Sequence, residues 1–260
     1  MAESPHVTVT TEAGVATLVI SNPPVNALST QVMTELHAAL DRLSADATVK
    51  AVVITGAGSV FVAGADVREI AVLKGAADGE RATRLGQGVF DQIEAMPVPV
   101  IAAINGLCLG GGSELALACH LRIAGERVRI AQPEISLGII PGFGGTQRLP
   151  RLVGPARALE ICLTGDPINA SSALSAGYLN KVVPDGEVLK HAQGLAKKIA
   201  SKGRLAIVAI MKAVREGMTM SLADGLALES KLFGTICETQ DMHEGVRAFL
   251  EKRQPTFQDR

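Results

Sequence analysis

Two carboxylates, Glu114 and Glu134, stand 20 positions apart, each beside a cluster of glycines. Paired carboxylates in unlike surroundings can serve as proton donor and acceptor around one bound water or one acidic C–H. Ahead of the first runs INGLCLGGGSE, residues 104–114, an uncharged apolar stretch that tightens into Gly110-Gly111-Gly112 before Glu114. Glycines let the backbone turn sharply and leave its N–H groups uncovered. A helix expected over SELALACHLRIA adds its positive dipole end and unpaired N–H donors at the same point. Such a layout can hold a developing negative charge with a general acid or base beside it. A tight strand-to-helix connection with a dipole-favoured glutamate accounts for the same residues without chemistry, and at this level both readings stand.

Two further small-residue segments join the first. Phe61-Val62-Ala63-Gly64-Ala65-Asp66-Val67-Arg68-Glu69-Ile70 has uncrowded N–H groups, and its Arg68 offers a cation for a phosphate. Gln132-Pro133-Glu134 is followed by Pro141-Gly142-Phe143-Gly144-Gly145-Thr146. A return through two short strands can bring Glu134 back to the pocket of Glu114.

The elements that must position these residues are readable in outline. Residues 6–11 and 15–21 form a hairpin about Glu12-Ala13-Gly14. Ser29 or Thr30 caps a helix through QVMTELHAALDRLSAD. Residues 49–55 and 98–104 read as buried strands, and 121–124 and 128–131 as two shorter ones. From Thr146 the pattern becomes helix after helix: RALEICLTG, SALSAG, EVLKHAQGLAKKIAS, RLAIVAIMKAVREGM, SLADGLALESKLFGTI and MHEGVRAFLEKR. Residues 70–81, rich in Ala and Gly, read as a loop. A composition break near residue 200 divides a core, 1–200, that carries the site from a helical section, 201–260, whose apolar helices suit subunit contact.

Composition removes several classes of function. In 260 residues, aromatics make up only 3%, so a core drawn from the 47% hydrophobic residues must be built of Ala, Val, Leu and Ile. A formal net charge of −1 without a basic run leaves no footprint for nucleic acid. The N-terminal MAESPHVTVT lacks the pattern of a secretory leader, and the uncharged run 97–113 is short for a membrane span. Cys108, Cys119, Cys162 and Cys237 show no CxxC spacing and read as buried reduced thiols of a cytoplasmic protein. Five scattered histidines give no metal-ligand pair.

Taken in order, NPPVNALS, FVAGADVREI, INGLCLGGGSELALACHLRIA, AQPEISLGIIPGFGGTQRLPRLVG and AFLEKRQPTF resemble the enoyl-CoA hydratase (crotonase) family over essentially the whole chain. The resemblance implies an α/β fold, a crotonase-like spiral of repeated ββα units with a helical C-terminal trimerisation section. It implies a homotrimer or a hexamer made as a dimer of trimers. It also implies an acyl-CoA substrate, coenzyme A being part of that substrate and no separate cofactor being needed. By motif position, the N–H groups of Ala65 and Gly111 form an oxyanion hole for the thioester oxygen, where enolate charge grows in the transition state. Glu114 matches the base that activates water and Glu134 the acid that protonates the α-carbon. The N–H of Gly142 matches a further holder of that water. Ala63, Asp66, Val67 and Arg68 match the coenzyme A edge of the site, and Lys252 a contact to its phosphate, in a neighbouring subunit. For Arg68 and Lys252 a solvated surface role remains open.

Two departures stand out. His120 replaces an Asp common among relatives and reads as structural; Phe143 either shapes the acyl pocket or packs beneath the helix beginning at Thr146. The resemblance implies hydration of 2-enoyl-CoA to (3S)-3-hydroxyacyl-CoA, in fatty-acid or related acyl-CoA metabolism. The alternative is a Δ3-Δ2 enoyl-CoA isomerase, many of which keep a carboxylate only at the Glu134 position. A binding protein without catalysis, including an RNA-binding branch of the family, is opposed by the near-neutral charge.

Overall fold

The computed structural model describes residues 5–260; the first four, part of the stretch read for a leader, lie outside it. β1 (Val7–Glu12) and β2 (Val15–Ile20) make the expected antiparallel hairpin, with Val7 opposite Ile20. α1 (Thr30–Ala45) starts from Ser29, whose hydroxyl accepts the Val32 N–H. It buries Val32, Met33, Leu36, Leu40 and Leu43, the face that helical spacing dictates.

Three similar runs follow. The first is β3 (Ala51–Gly56), β4 (Val60–Val62), α2 (Val67–Ile70) and α3 (Ala76–Ala95). The second is β5 (Val100–Ile104), β6 (Leu107–Leu109) and α4 (Gly111–Ala118). The third is β7 (Leu121–Gly125), β8 (Arg129–Ala131), a 3-10 helix (Pro133–Leu137), α5 (Gly145–Val153) and α6 (Pro155–Thr164). After them come β9 (Ile168–Asn169), α7 (Ala170–Ser175), β10 (Lys181–Val183), α8 (Val188–Ala200), α9 (Arg204–Gly217), α10 (Leu222–Cys237) and α11 (Gln240–Leu250).

In each run the first strand enters a six-stranded sheet ordered β1-β2-β3-β5-β7-β10, and the second enters a four-stranded sheet ordered β4-β6-β8-β9. Only β1–β2 and β8–β9 are antiparallel. Every run therefore advances one strand in both sheets, which is the ββα spiral the resemblance implied. The central strands are buried on both faces, as parallel sheets require. Val52, Ile54, Val100, Ala102 and Ile104 face the core shared with α1 and α3. The alternate residues Ala51, Val53, Ile101 and Ala103 face Val188, Ala192 and Ala196 of α8.

The structure departs from the sequence expectations at several places. Residues 70–81 are a loop only over 71–75, between the end of α2 at Ile70 and the start of α3 at Ala76. Gly79, Gly86 and Gly88 had masked a helix that buries Val89, Phe90 and Ile93. The helix after the glycines starts at Gly111 and stops at Ala118, so LRIA does not continue it but forms β7, the short strand also expected over 121–124. β9 and β10 interrupt the run of helices after Thr146. Of the four free thiols, Cys108 and Cys119 are buried, but Cys162 and Cys237 are only partly so.

α9 and α10 pack on each other and leave Ile210, Val214, Met218, Leu222 and Phe233 exposed, with Phe249 and Leu250 beyond on α11. The tail folds back from α11. Asp241 accepts the N–H groups of Gln258 (2.6 Å) and Asp259 (2.9 Å). Asp259 in turn accepts the Arg204 N–H (2.7 Å) and pairs with Lys50 (2.7 Å), just ahead of β3. Among the described residues no helix is long and apolar enough to cross a membrane.

Candidate active site

The site grows out of the small sheet. β4, β6 and β8 are adjacent and parallel, so the chain leaves them at one edge. Ala65 lies three residues past β4, Gly111 two past β6 and Glu134 three past β8. The carboxyl ends of parallel strands are where such folds gather their reactive groups.

Ala65 is presented by its neighbours. Gly64 C=O accepts the Leu28 N–H (2.9 Å), and Asp66 N–H donates to Leu28 C=O (3.2 Å). Because the intervening peptides are trans, the Ala65 N–H points away from Leu28. Gly111 lies on that side: a Cβ placed on it would be 3.2 Å from the Ala65 nitrogen. As the first residue of α4, Gly111 has an N–H with no partner inside the helix. Ala65 and Gly111 thus carry neighbouring backbone N–H groups.

α4 is buried along its whole length. A Cβ at Gly112 would come within 2.0 Å of Val62 C=O, so the third glycine lets α4 lie on β4. At its far end the buried Arg122 guanidinium donates to the carbonyls of Cys119 (2.5 Å), Tyr178 (2.7 Å) and Ala116 (3.3 Å), satisfying the last turn. Gly110, at φ 51° and ψ −121°, adopts a conformation open only to glycine; a Cβ there would be 2.9 Å from Glu134 Oε1. The glycine before α4 therefore borders one carboxylate, and the helix carries the other.

Glu114 is 2% exposed, and its Oε1 accepts the N–H groups of Phe143 (2.8 Å) and Gly145 (2.7 Å). Burial pushes its carboxyl up to about 7, the nearby Glu134 adding to the rise, while the Gly145 and Phe143 donors and Arg148 oppose it. Glu134 is less buried and is also raised, by desolvation. The fully buried Gln132 amide links Glu134 to α4. In the orientation that satisfies both neighbours, its nitrogen lies 3.1 and 3.2 Å from the Glu134 oxygens and its oxygen accepts from Ser113 Oγ at 3.3 Å. Ser113 Oγ is 2.9 Å from the Tyr178 hydroxyl, which donates to Ser113 C=O at 3.1 Å.

Other expected residues stand around this pair. The Gly142 carbonyl is held by Gln87 Nε2 (2.8 Å), and among the described residues its N–H has no partner. The donors that reach Glu114 are those of Phe143 and Gly145. The Phe143 ring meets Phe90 edge-on at 5.7 Å and lies against Gly86 of α3. His120 pins β5 to the end of α3, Nδ1 accepting the Val100 N–H (3.0 Å) and Nε2 donating to Glu94 C=O (3.2 Å). Burial keeps it neutral, its pKa lowered.

Ala63 N–H is bound to Val25 C=O. Asp66 caps α2 through the Arg68 N–H and pairs with the Arg68 guanidinium (2.7 Å), while Val67 is exposed. Lys252 lies exposed beyond α11, and no hydrogen bond or ion pair joins its side chain to the residues above. The motif reading missed the roles of Gln132, Tyr178 and the Phe143 and Gly145 N–H groups. Gln132 stood in plain view two places before Glu134; the backbone donors had only the glycine-rich PGFGG as a signal.

A family model described as enoyl-CoA hydratase/isomerase matches residues 10–260. A probable enoyl-CoA hydratase of Bacillus subtilis is 46% identical over 244 residues, covering 94% of this chain and 95% of the relative. A crotonyl-CoA hydratase of Syntrophomonas wolfei is 45% identical over 248 residues, 95% of each chain. The crystal structure of an enoyl-CoA hydratase from Bacillus anthracis superposes with a TM-score of 0.94 at 38% identity, covering 98% of this chain and all of the other.

Proposed function

The chain belongs to the enoyl-CoA hydratase/isomerase family, and on that premise we propose that Glu114 and Glu134 together add water reversibly across the double bond of a 2-enoyl-CoA. The thioester oxygen accepts from the Ala65 and Gly111 N–H groups, which favour the enolate over the neutral ground state. Glu114 takes a proton from water as the oxygen bonds to C3, and Glu134 delivers a proton to C2. Water's hydroxyl and one proton are thereby added, giving 3-hydroxyacyl-CoA, and the steps balance with no separate cofactor. A carboxyl near 7 is partly ionised at neutral pH, as a base must be, and the two N–H donors on Oε1 support that ionised form.

The observation that carries this reading is a second buried-edge carboxylate, Glu134, beside Glu114 at one pair of backbone donors. Shuttling one proton in a Δ3-Δ2 isomerisation needs one base, whereas holding and splitting water uses two. The Gly142 N–H is a further donor for that water. Ala63, Asp66, Val67 and Arg68 form the coenzyme A edge, and Lys252 of an adjoining subunit completes it. Residues 201–260 form the oligomerisation section, their exposed apolar face closing a homotrimer or a dimer of trimers. Unpaired thiols suit a cytoplasmic enzyme.

The test is loss of enoyl-thioester ultraviolet absorbance with crotonyl-CoA, for the wild type, Glu114→Gln and Glu134→Gln. Rapid loss in the wild type that falls by about 10²- to 10⁴-fold or more in each variant supports a two-carboxylate hydratase. A wild type that instead converts 3-enoyl-CoA to its 2-enoyl isomer moves the assignment to isomerisation.

A further inference from the structure

Between the 3-10 helix and α5, residues 141–144 have no ladder or helix of their own, and Gly144 sits at φ 113°. Yet this turn supplies the N–H groups on which the Glu114 carboxylate rests. Besides the bonds of Gly144 C=O into α5 and of Phe143 N–H to Glu114, its fastenings lead to one face of α3. Gln87 holds Gly142 C=O, and Gly86 and Phe90 take the Phe143 ring. One turn further along α3, Asp91 and Glu94 take the Arg148 side chain.

Arg148 joins these parts. From the first half of α5 its NH1 donates to Phe143 C=O (3.0 Å), the carbonyl of the very residue whose N–H holds Glu114. Its Nε and NH2 donate to Glu94 Oε2 (3.0 and 2.9 Å), and NH2 also to Asp91 Oδ1 (2.5 Å). The arginine is the enclosed partner: its side chain is 14% exposed, against 69% for Asp91 and 51% for Glu94. Exposed ion pairs of this kind add little stability by themselves. A planar fork, however, can meet a carbonyl and two carboxylates at fixed angles, which an ammonium does not reproduce.

We propose that Arg148 is a positioning residue for Glu114: by clamping Phe143 C=O to Asp91 and Glu94 of α3, it fixes the peptide donors that aim and ionise the carboxylate. The assignment deepens the hydration reading and rests on it for its kinetic consequence. The other titratable groups facing Glu114 are Glu134 from the 3-10 helix and the Cys162 thiol from α6. Among the described residues no hydrogen bond joins either to residues 141–144.

The experiment follows the carboxyl 13C resonance of Glu114 through pH in ligand-free enzyme, assigned by its absence in Glu114→Gln, beside crotonyl-CoA kinetics. Arg148→Gln removes the clamp and the charge; Arg148→Lys keeps the charge alone. In Arg148→Gln the Glu114 midpoint rises by at least about half a pH unit. Its kcat falls about 10- to 100-fold with KM within about twofold, as misplacement of a reacting group requires. Arg148→Lys lies between the wild type and Arg148→Gln on both readouts. A folded Arg148→Gln with an unmoved midpoint and kcat within about threefold overturns the proposal. Should Arg148→Gln fail to fold, Arg148→Lys decides: lowered thermal stability with unchanged midpoint and kcat makes Arg148 merely structural. The titration needs no substrate, so failure of the wild type to hydrate crotonyl-CoA would sink the hydratase reading and leave the clamp separately measurable.

Discussion

Substituting alanine for each glycine before and within α4 separates chemistry from packing. At Gly111 the new Cβ lies 3.2 Å from Ala65 N and 3.4 Å from both Gly64 C and Leu28 Cδ1. These contacts are tight but relievable by a few tenths of an ångström. Alanine also gains up to about 1 kcal/mol over glycine in a helix, so Gly111→Ala should keep its stability within about 1 kcal/mol. The methyl group, however, stands at the Ala65 donor, where the proposed hole places the thioester oxygen. Losing one such donor costs about 3–4 kcal/mol of transition-state stabilisation, a drop in kcat of about 10²- to 10³-fold. Gly112→Ala is the contrast. Its Cβ falls 2.0 Å from Val62 C=O and 2.7 Å from Val62 C, both backbone atoms. Only separation of α4 from β4 relieves that overlap, which costs about 3 kcal/mol or more of stability. Thermal denaturation and the crotonyl-CoA assay on both variants read the two effects. A stable Gly111→Ala enzyme within about threefold of wild-type kcat would refute the placement of the oxyanion hole at Ala65 and Gly111.

Other expectations follow from the same contacts. Glu114 is raised from 4.5 to about 7 on folding, so its charge destabilises the fold progressively as pH climbs through that window and fully above it. The stability of Glu114→Gln relative to wild type should therefore improve by about 3 kcal/mol between pH 4 and pH 8 in urea titrations; a pH-independent difference would contradict it. Arg122→Met leaves the carbonyls of Ala116, Cys119 and Tyr178 without their buried donor, for a loss of about 3 kcal/mol in the same assay. Asp241→Ala frees the Gln258 and Asp259 N–H groups, and limited proteolysis should then remove the tail at protease levels that leave wild type intact.

Much of this was legible in the sequence because side-chain periodicity and motif spacing carried it. The α1 stripe of Val32, Leu36, Leu40 and Leu43, the buried β3 and β5, and the two glutamates each announce themselves through residue type. What stayed hidden depends on backbone or on brevity. β4 and β6 have three residues each, too few to show a period, though they build the edge that presents Ala65 and Gly111. α3 was obscured by its glycines, of which Gly86 makes room for Phe143 while Gly79 and Gly88 face open space. The donors on Glu114 are peptide N–H groups, which no side chain advertises.

The proposed reacting groups come from three successive turns of the spiral, with Ala65, Gly111 and Glu114, and Glu134 each following a different strand of the small sheet. Helices such as α1 and α8 can form early from local contacts, within about microseconds as isolated segments. Parallel strands separated by whole helices must close long loops before their pairing is rewarded, which makes them slow. Catalysis during refolding should accordingly lag the far-ultraviolet helix signal and appear only when β8 has docked beside β6. Any kinetic trap that leaves one turn of the spiral undocked then holds most of the secondary structure and none of the activity.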